Sequence, residues 1–286
     1  MSTGGGRMGV QANLAGLEVG DGHPVCIVGA INVSPESFYK GSVAFDESAL
    51  RQRGEQMVAE GADMLDVGAM STAPYLETAV SEAEEIRRLI WAIGVLRSVV
   101  TLPISVDTKR SRPAVAALDA GAAVINDVSG FRHDPAMAEA AALHSQGAIL
   151  MASEASHGAA EPIATVRTLL QQSLAISDAA GLPRDRIVLD PGIGFFRNAA
   201  LSWDAWDCEI VRRIGELRPL GRPILVGLSR KSFVGKLLGR QDPAERLFGS
   251  LAATTVAVLN GAHLVRTHDV GPTRDAIRMA EALRPA

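Results

Sequence analysis

The chain has only two cysteines, Cys26 and Cys208, far apart and outside any CxxC. That is too few for a disulfide framework or a cysteine-based zinc site. It also lacks a surplus of positive charge: Lys+Arg is 28 against Asp+Glu 32, a net charge of -4. Without a basic excess to track a phosphate backbone, nucleic acid is excluded as the main partner. Long hydrophobic runs are missing as well. The uncharged stretch at 248–265 contains Asn260, Gly261 and His263 beside Ser250, Thr254 and Thr255, so it reads as a buried helix followed by a strand rather than a membrane span. The opening Met-Ser-Thr-Gly-Gly-Gly lacks the apolar core of a signal peptide. The expectation is a cytoplasmic protein with no membrane partner. No GxGxxG follows the first apolar run and no GxxxxGK[ST] occurs, which removes the glycine-rich phosphate loops of dinucleotide-binding and P-loop folds. What remains is ordinary globular composition, 47% hydrophobic and 21% charged, on a chain of 286 residues that can bury a sizeable core.

The apolar pattern alternates between two periods. Short runs rich in Val, Ile and Leu predict strands buried on both faces at 25–32, 63–68, 104–107, 123–127, 148–151, 187–190, 224–229 and 264–269. Helical spacing fills 46–60, 81–98, 135–144, 164–180 and 244–260. Gly61, Gly121, Gly147, Gly181, Gly221 and Gly261 stand where a left-handed cap would close each helical stretch before the next strand. Eight strands, each followed by a helical segment, predict one α/β domain, a (β/α)8 TIM barrel. No linker breaks the chain after residue 24, so residues 23–286 form the barrel and residues 1–22 are expected to be a flexible arm.

Polar residues recur at one place in this pattern. Asn32, Asp66, Asp107, Asn126, Asp190, Ser229 and Arg266 each lie at or near the C-terminal end of a predicted strand. Any one could simply cap the following helix. Together they point to the mouth where barrels of this kind keep their chemistry. Asp190 ends a strand before a Pro-Gly turn, and such a carboxylate can accept two parallel N–H donors, like those of a 2-amino-pyrimidinone. Lys231, Arg266 and His268 follow the last two strands, where barrels often bind phosphate.

In order, the motifs are NVSPESF from Asn32, DVGAMSTAP from Asp66, SVDT from Ser105, IND from Ile125, DPGIGF from Asp190, GLSRKS from Gly227 and RTHDV from Arg266. This series resembles dihydropteroate synthase across about residues 25–283. The resemblance implies a transferase that joins 6-hydroxymethyl-7,8-dihydropterin diphosphate to an arylamine, 4-aminobenzoate or a related one, and releases pyrophosphate. It implies that Asp107, Asn126, Asp190 and Lys231 bind the pterin and that Arg266 stacks on it while facing the diphosphate. Asn32, Arg266 and His268 would be catalytic, with Mg2+ near Asn32. Phe38, Thr72, Pro74, Phe195 and Ser232 would frame the arylamine. Members of the family are commonly homodimers.

Two loops depart from the family pattern. Ser34 and Glu36 replace its Thr and Asp, and Ala73 stands where its diphosphate-gripping arginine belongs. Ala152 replaces a histidine, and Phe196-Arg197 replaces Gly-Lys. Arg197, Arg230 and Lys40 are the cations that could compensate for Ala73. The pterin floor is therefore better supported than the arylamine pocket. The alternatives are a non-catalytic pterin-binding paralogue, and behind it a pterin methyltransferase acting with a corrinoid protein.

Overall fold

The computed structural model describes residues 9–34, 46–70, 80–153, 161–197 and 200–284. Eight parallel strands form its centre: β3 (Cys26–Asn32), β4 (Met64–Gly68), β5 (Ile104–Asp107), β6 (Val124–Asp127), β7 (Ala148–Met151), β8 (Ile187–Asp190), β9 (Leu225–Gly227) and β10 (Leu264–Thr267). They pair in the order β8-β7-β6-β5-β4-β3-β10-β9. A parallel bridge between Leu189 and Ile224 joins the two ends and closes the ring. The predicted α/β TIM barrel is therefore the observed fold.

Side chains alternate along each strand, so the barrel sorts its residues into two apolar layers. Ile27, Ile31, Leu65, Val67, Val106, Leu150 and Leu189 face outward and pack beneath the helices. Val28, Met64, Val124, Ile149, Val188, Leu225 and Leu264 face inward and fill the lower half of the barrel. Every inward position nearer the C-terminal ends of β3, β4, β5, β6, β8 and β10 is then available to a polar residue, and the site is built there.

The surrounding helices are α1 (Glu47–Glu60), α2 (Glu82–Arg97), α3 (Ser111–Asp119), α4 (Met137–His144), α5 (Pro162–Ala179), α6 (Trp203–Arg213), α7 (Ser232–Leu238), α8 (Leu247–Leu259) and α9 (Val270–Leu283). Asp46 and Ser81 start the first two by accepting the backbone N–H of Ala49 and Glu84. Five of the six expected cap glycines have positive φ; Gly147 does not. None of the described helices is long and apolar enough to cross a membrane.

The N-terminal segment corrects the expectation of a loose arm. Residues 9–22 contain an antiparallel hairpin, β1 (Gln11–Leu14) and β2 (Leu17–Gly20). Its Ala12, Leu14 and Val19 join the inward-facing apolar cluster and cover the N-terminal end of the barrel. Leu14 and Val19 are fully buried. A Cβ on Gly147 would come within 2.6 Å of Leu14 Cδ2, so this glycine makes room for the hairpin rather than capping a helix.

Candidate active site

Strand register brings distant residues to one level. Asp66 pairs in register with Ser105, Gly68 with Asp107, and Asp107 with Asn126. Asp66 is fully buried and is the hub of the mouth. It accepts from Ser105 Oγ at 2.6 Å, Asn126 Nδ2 at 3.1 Å and Arg266 Nε at 2.6 Å. Arg266 Nη2 also donates to Asp107 Oδ2 at 3.1 Å. One guanidinium thus ties β10 to β4 and β5, in a fixed plane across the barrel interior.

Asp107 holds one oxygen in reserve. Its Oδ1 is buried and has no hydrogen-bond partner among the described residues. Burial pushes its carboxyl up from the ordinary range, against the pull of Arg266. A ligand N–H placed there would satisfy an otherwise orphaned acceptor.

Asp190 faces the same interior from β8. Its Oδ1 accepts the Gly192 N–H at 2.7 Å. Burial lifts its pKa to about 6, and the nearby Lys231 opposes the rise. Burial lowers Lys231 itself to about 8. The Pro-Gly turn between them has little room to change. Gly192 has φ +73, and a Cβ on it would run into the carbonyl oxygen of Ala152. Gly194 has φ +88, and a Cβ there would meet Lys231 Cδ at 3.1 Å. Both positions need glycine because the backbone runs against its neighbours in the left-handed region. Lys231 Nζ lies 4.7 Å from the centre of the Phe195 ring.

Asn32 ends β3, half-buried, with its Oδ1 turned toward Gly68 of the neighbouring strand. His268 follows β10, buried, with Nδ1 3.0 Å from Ser229 Oγ and its carbonyl accepting from Arg53 Nη2. Burial, then the charge of Arg266, Arg53, Arg230 and Lys231, drives its pKa well below the usual value. His268 is therefore a neutral imidazole at pH 7.

Arg230 does not join the mouth either. It makes paired bonds from Nε and Nη2 to Asp269 at 2.9 and 2.8 Å. Its Nη1 donates to Pro243 O and Ala244 O at 2.9 and 2.8 Å. Its backbone has φ 54, strained for a non-glycine residue and held by those partners. It is a staple between the ends of β9 and β10. Asp127, the last residue of β6, turns back to accept from Ser129 and Phe131 and stays outside the floor. Phe38, Thr72, Pro74, Ala73 and Lys40 lie outside the described residues. Ser232, first in α7, receives a 2.7 Å bond from Arg197 Nη2.

Two contributors carried no clear signal in the sequence. Asp66 stood among the strand-end polar residues, but nothing local marked it as the hub. Asp207 sits within α6, fully buried, and accepts the Gly194 N–H at 2.8 Å. Burial raises its pKa to about 6, and Lys231 and Arg197 are the cations that face it. It supports the glycine turn from behind.

Chemically, the mouth offers buried carboxylate and amide acceptors beside two cations, Lys231 and Arg266, together with the Asn32 amide and the neutral His268 imidazole. The model of the family described as pterin binding enzyme matches residues 28–268. Dihydropteroate synthase of a Synechocystis strain is 36% identical over 264 residues, covering 90% of this chain and 89% of that protein. The Xanthomonas albilineans dihydropteroate synthase with 4-aminobenzoic acid is 35% identical, with TM-score 0.86 over 98% of this chain and 100% of that one. The same organism's enzyme in complex with 7,8-dihydropteroate gives 34% identity and TM-score 0.81, over 96% of this chain and 99% of that one.

Proposed function

The chain belongs to the pterin-binding enzyme family, and from that membership we propose that it is a transferase of the dihydropteroate synthase type. It condenses 6-hydroxymethyl-7,8-dihydropterin diphosphate with an arylamine, 4-aminobenzoate or a related one, and releases pyrophosphate. The observation that supports the pterin half is the buried Oδ1 of Asp107, without a hydrogen-bond partner among the described residues, beside Asn126 on the next strand and joined through Arg266 to the side of the mouth where Asp190 and Lys231 lie. That set matches the donor and acceptor edge of a 2-amino-pyrimidinone. Asp190, when ionised, accepts its paired N–H groups, and Lys231 donates to its ring acceptors.

In the reaction the C–O bond to the diphosphate breaks as the amine attacks the methylene carbon. The pterin spreads the developing positive charge, so no side-chain nucleophile is needed. The chain's task is to hold the pterin, orient the amine and stabilise the departing anion. Arg266, held by Asp66 and Asp107, presents a fixed guanidinium to the ring and to the diphosphate. Asn32 and His268 donate to the diphosphate, His268 as a neutral group. Phe38, Thr72, Pro74, Phe195 and Ser232 frame the arylamine.

Mg2+ is the cofactor that suits a diphosphate. No group of three or more His, Cys, Asp or Glu side chains that could hold a metal occurs among the described residues. Asn32, at the end of β3, would hold such an ion through its side-chain oxygen. When bound, it would neutralise part of the leaving group's charge.

We also take the chain to act as a homodimer in the cytoplasm. Support for the dimer is the uncharged α8, whose Phe248 is 82% exposed beside exposed Val256 and Leu259 and the neighbouring Leu237 and Leu238 of α7. The location is consistent with two cysteines that form no disulfide. The function is tested by offering the pterin diphosphate with 4-aminobenzoate and, separately, a ribosylated aminobenzoate, and identifying the coupled product by mass spectrometry. A coupled product with either one supports the transferase. Tight pterin binding without product from any arylamine would leave the non-catalytic paralogue.

A further inference from the structure

The end of the barrel opposite the mouth carries a cavity that the reaction above does not use. Val25, Ile224 and His263, which stand just before β3, β9 and β10, line it together with the turn that follows the hairpin. Its volume is about 330 Å³, the size of a small-molecule site. Ile214, Ile224, Leu259 and Ala262 give it an apolar wall, and Arg218, Arg222, Arg284 and His263 a polar one. Asp21 is the one carboxylate on its lining among the described residues.

That carboxylate is already engaged. Arg218 grips it with Nη1 and Nη2 at 2.9 and 2.5 Å, and the Val10 N–H adds a bond at 2.7 Å. The hydrogen bond from Arg218 leads in holding its pKa at about 2. Arg222 and Arg284 have no carboxylate partner among the described residues and are held by backbone carbonyls instead. Arg222 donates to Gly221 O and, from Nη1 at 2.6 Å, to Arg184 O, while Arg284 Nη2 donates to Val258 O at 2.9 Å. A guanidinium has five N–H donors, so these bonds leave donors over on both. Burial, then the charge of Arg184, lowers the Arg222 pKa, and Asp185 opposes only in part. A bound anion would relieve that cost. His263 completes the polar wall. Its Nδ1 accepts the Ile224 N–H at 3.1 Å, which leaves the ring proton on Nε2, 3.5 Å from Asp21 Oδ1.

Two guanidiniums without a counter-charge call for a doubly charged ligand. A carboxylate brings one charge, whereas a phosphate monoester brings about 1.5–2 at pH 7 with three acceptor oxygens. An inorganic ion would leave the apolar wall uncovered. We propose that this cavity is a second binding site, for a small phosphate monoester with an apolar body, held by Arg222 and Arg284. It stands independently of the transferase reading, since no residue of the mouth takes part.

Phenyl phosphate is the probe, with benzoate and phenol as analogues of lower charge and none. In calorimetric titrations, Arg222→Gln and Arg284→Gln should each bind phenyl phosphate about tenfold more weakly than the parent, the loss of a charge-assisted contact. Arg222→Lys should fall between, benzoate should bind the parent more weakly than phenyl phosphate, and phenol should not bind. Dihydropterin affinity stays at the parent's value in every variant. Amide spectra of the parent locate the site without any substitution: phenyl phosphate should shift Gly22, Gly215 and Gly261 on the cavity wall. Equal phenyl phosphate affinity in the parent and both glutamine variants, or shifts confined to residues of the mouth such as Gly68 and Gly192, would overturn the proposal. Benzoate binding as tightly as phenyl phosphate would overturn the choice of ligand.

Discussion

Replacing Asp190 with asparagine should move binding and stability in opposite directions. In the folded protein, burial raises this carboxyl from 3.8 to about 6. That rise corresponds to about 3 kcal/mol held against the ionised form. Because the folded value lies above the unfolded one, Asp190 favours the fold most below pH 3.8 and the contribution is lost as pH rises through about 6. At pH 8 the empty site therefore carries the cost in full. The asparagine would remove the charge yet still offer its amide oxygen to the Gly192 N–H, the bond now made by the carboxylate at 2.7 Å. Against this, Lys231 loses a nearby anion, which offsets part of the gain. The expected net is about 1–2 kcal/mol of added stability at pH 8, a rise in Tm of roughly 2–6 °C for a chain of this size. The gain should shrink toward pH 5. Pterin affinity should fall by about 3–5 kcal/mol, since an amide N–H would face the ligand's own donors across a buried contact. Differential scanning calorimetry at both pH values and titration with 6-hydroxymethyl-7,8-dihydropterin measure the two effects. Unchanged affinity would remove Asp190 from the pterin floor. A large loss of Tm at both pH values would make Asp190 a structural residue and refute the reasoning.

Four further expectations follow from the same geometry. Pterin affinity should peak between about pH 6 and pH 8, falling below as Asp190 protonates and above as Lys231 loses its proton, and a flat titration series across that range would contradict both roles. Arg266→Ala leaves Asp66 and Asp107 buried without their cation, so it should cost about 3–5 kcal/mol in denaturant melts and weaken both pterin and pyrophosphate, whereas His268→Ala should weaken mainly pyrophosphate. Leu14→Ala, in the hairpin under the barrel, should cost about 2–5 kcal/mol of stability with pterin affinity unchanged. Ala73→Arg should raise turnover with 4-aminobenzoate by up to about 10²–10³, the worth of one charge contact to a departing anion, and steady-state rates check it.

The strands were the most legible part of the sequence. Runs such as ISVD, AILM and IVLD are buried on both faces, and their predicted bounds match β5, β7 and β8 residue for residue. The hairpin was not seen because its strands are short, so that Ala12 and Leu14, then Leu17 and Val19, give too little alternation to stand out after a glycine-rich start. Its presence also explains Gly147, whose missing side chain serves Leu14 and not a helix end. In the site, Asp107, Asn126 and Asp190 could be named because each ends a strand or stands next to its end. Their connections could not, since Asp66 draws its three partners from 39, 60 and 200 residues away. In the basic motif GLSRKS, Lys231 was named for the mouth, but nothing local shows what holds its neighbour Arg230. Asp269 decides it by turning Arg230 away, and Lys231 is left beside Asp190 and Phe195. Asp207 reads as one more acid on a helix until α6 packs it behind Gly194.

The central claim is that this site transfers the pterin methylene to an arylamine and keeps water out. It is tested most directly by incubating the purified protein with the pterin diphosphate and Mg2+, with and without 4-aminobenzoate, and quantifying pyrophosphate and 7,8-dihydropteroate in the same samples. The account predicts pyrophosphate only when the arylamine is present, in equal amount to dihydropteroate. Pyrophosphate released without arylamine, or no product of either kind from protein that binds the pterin, would contradict it.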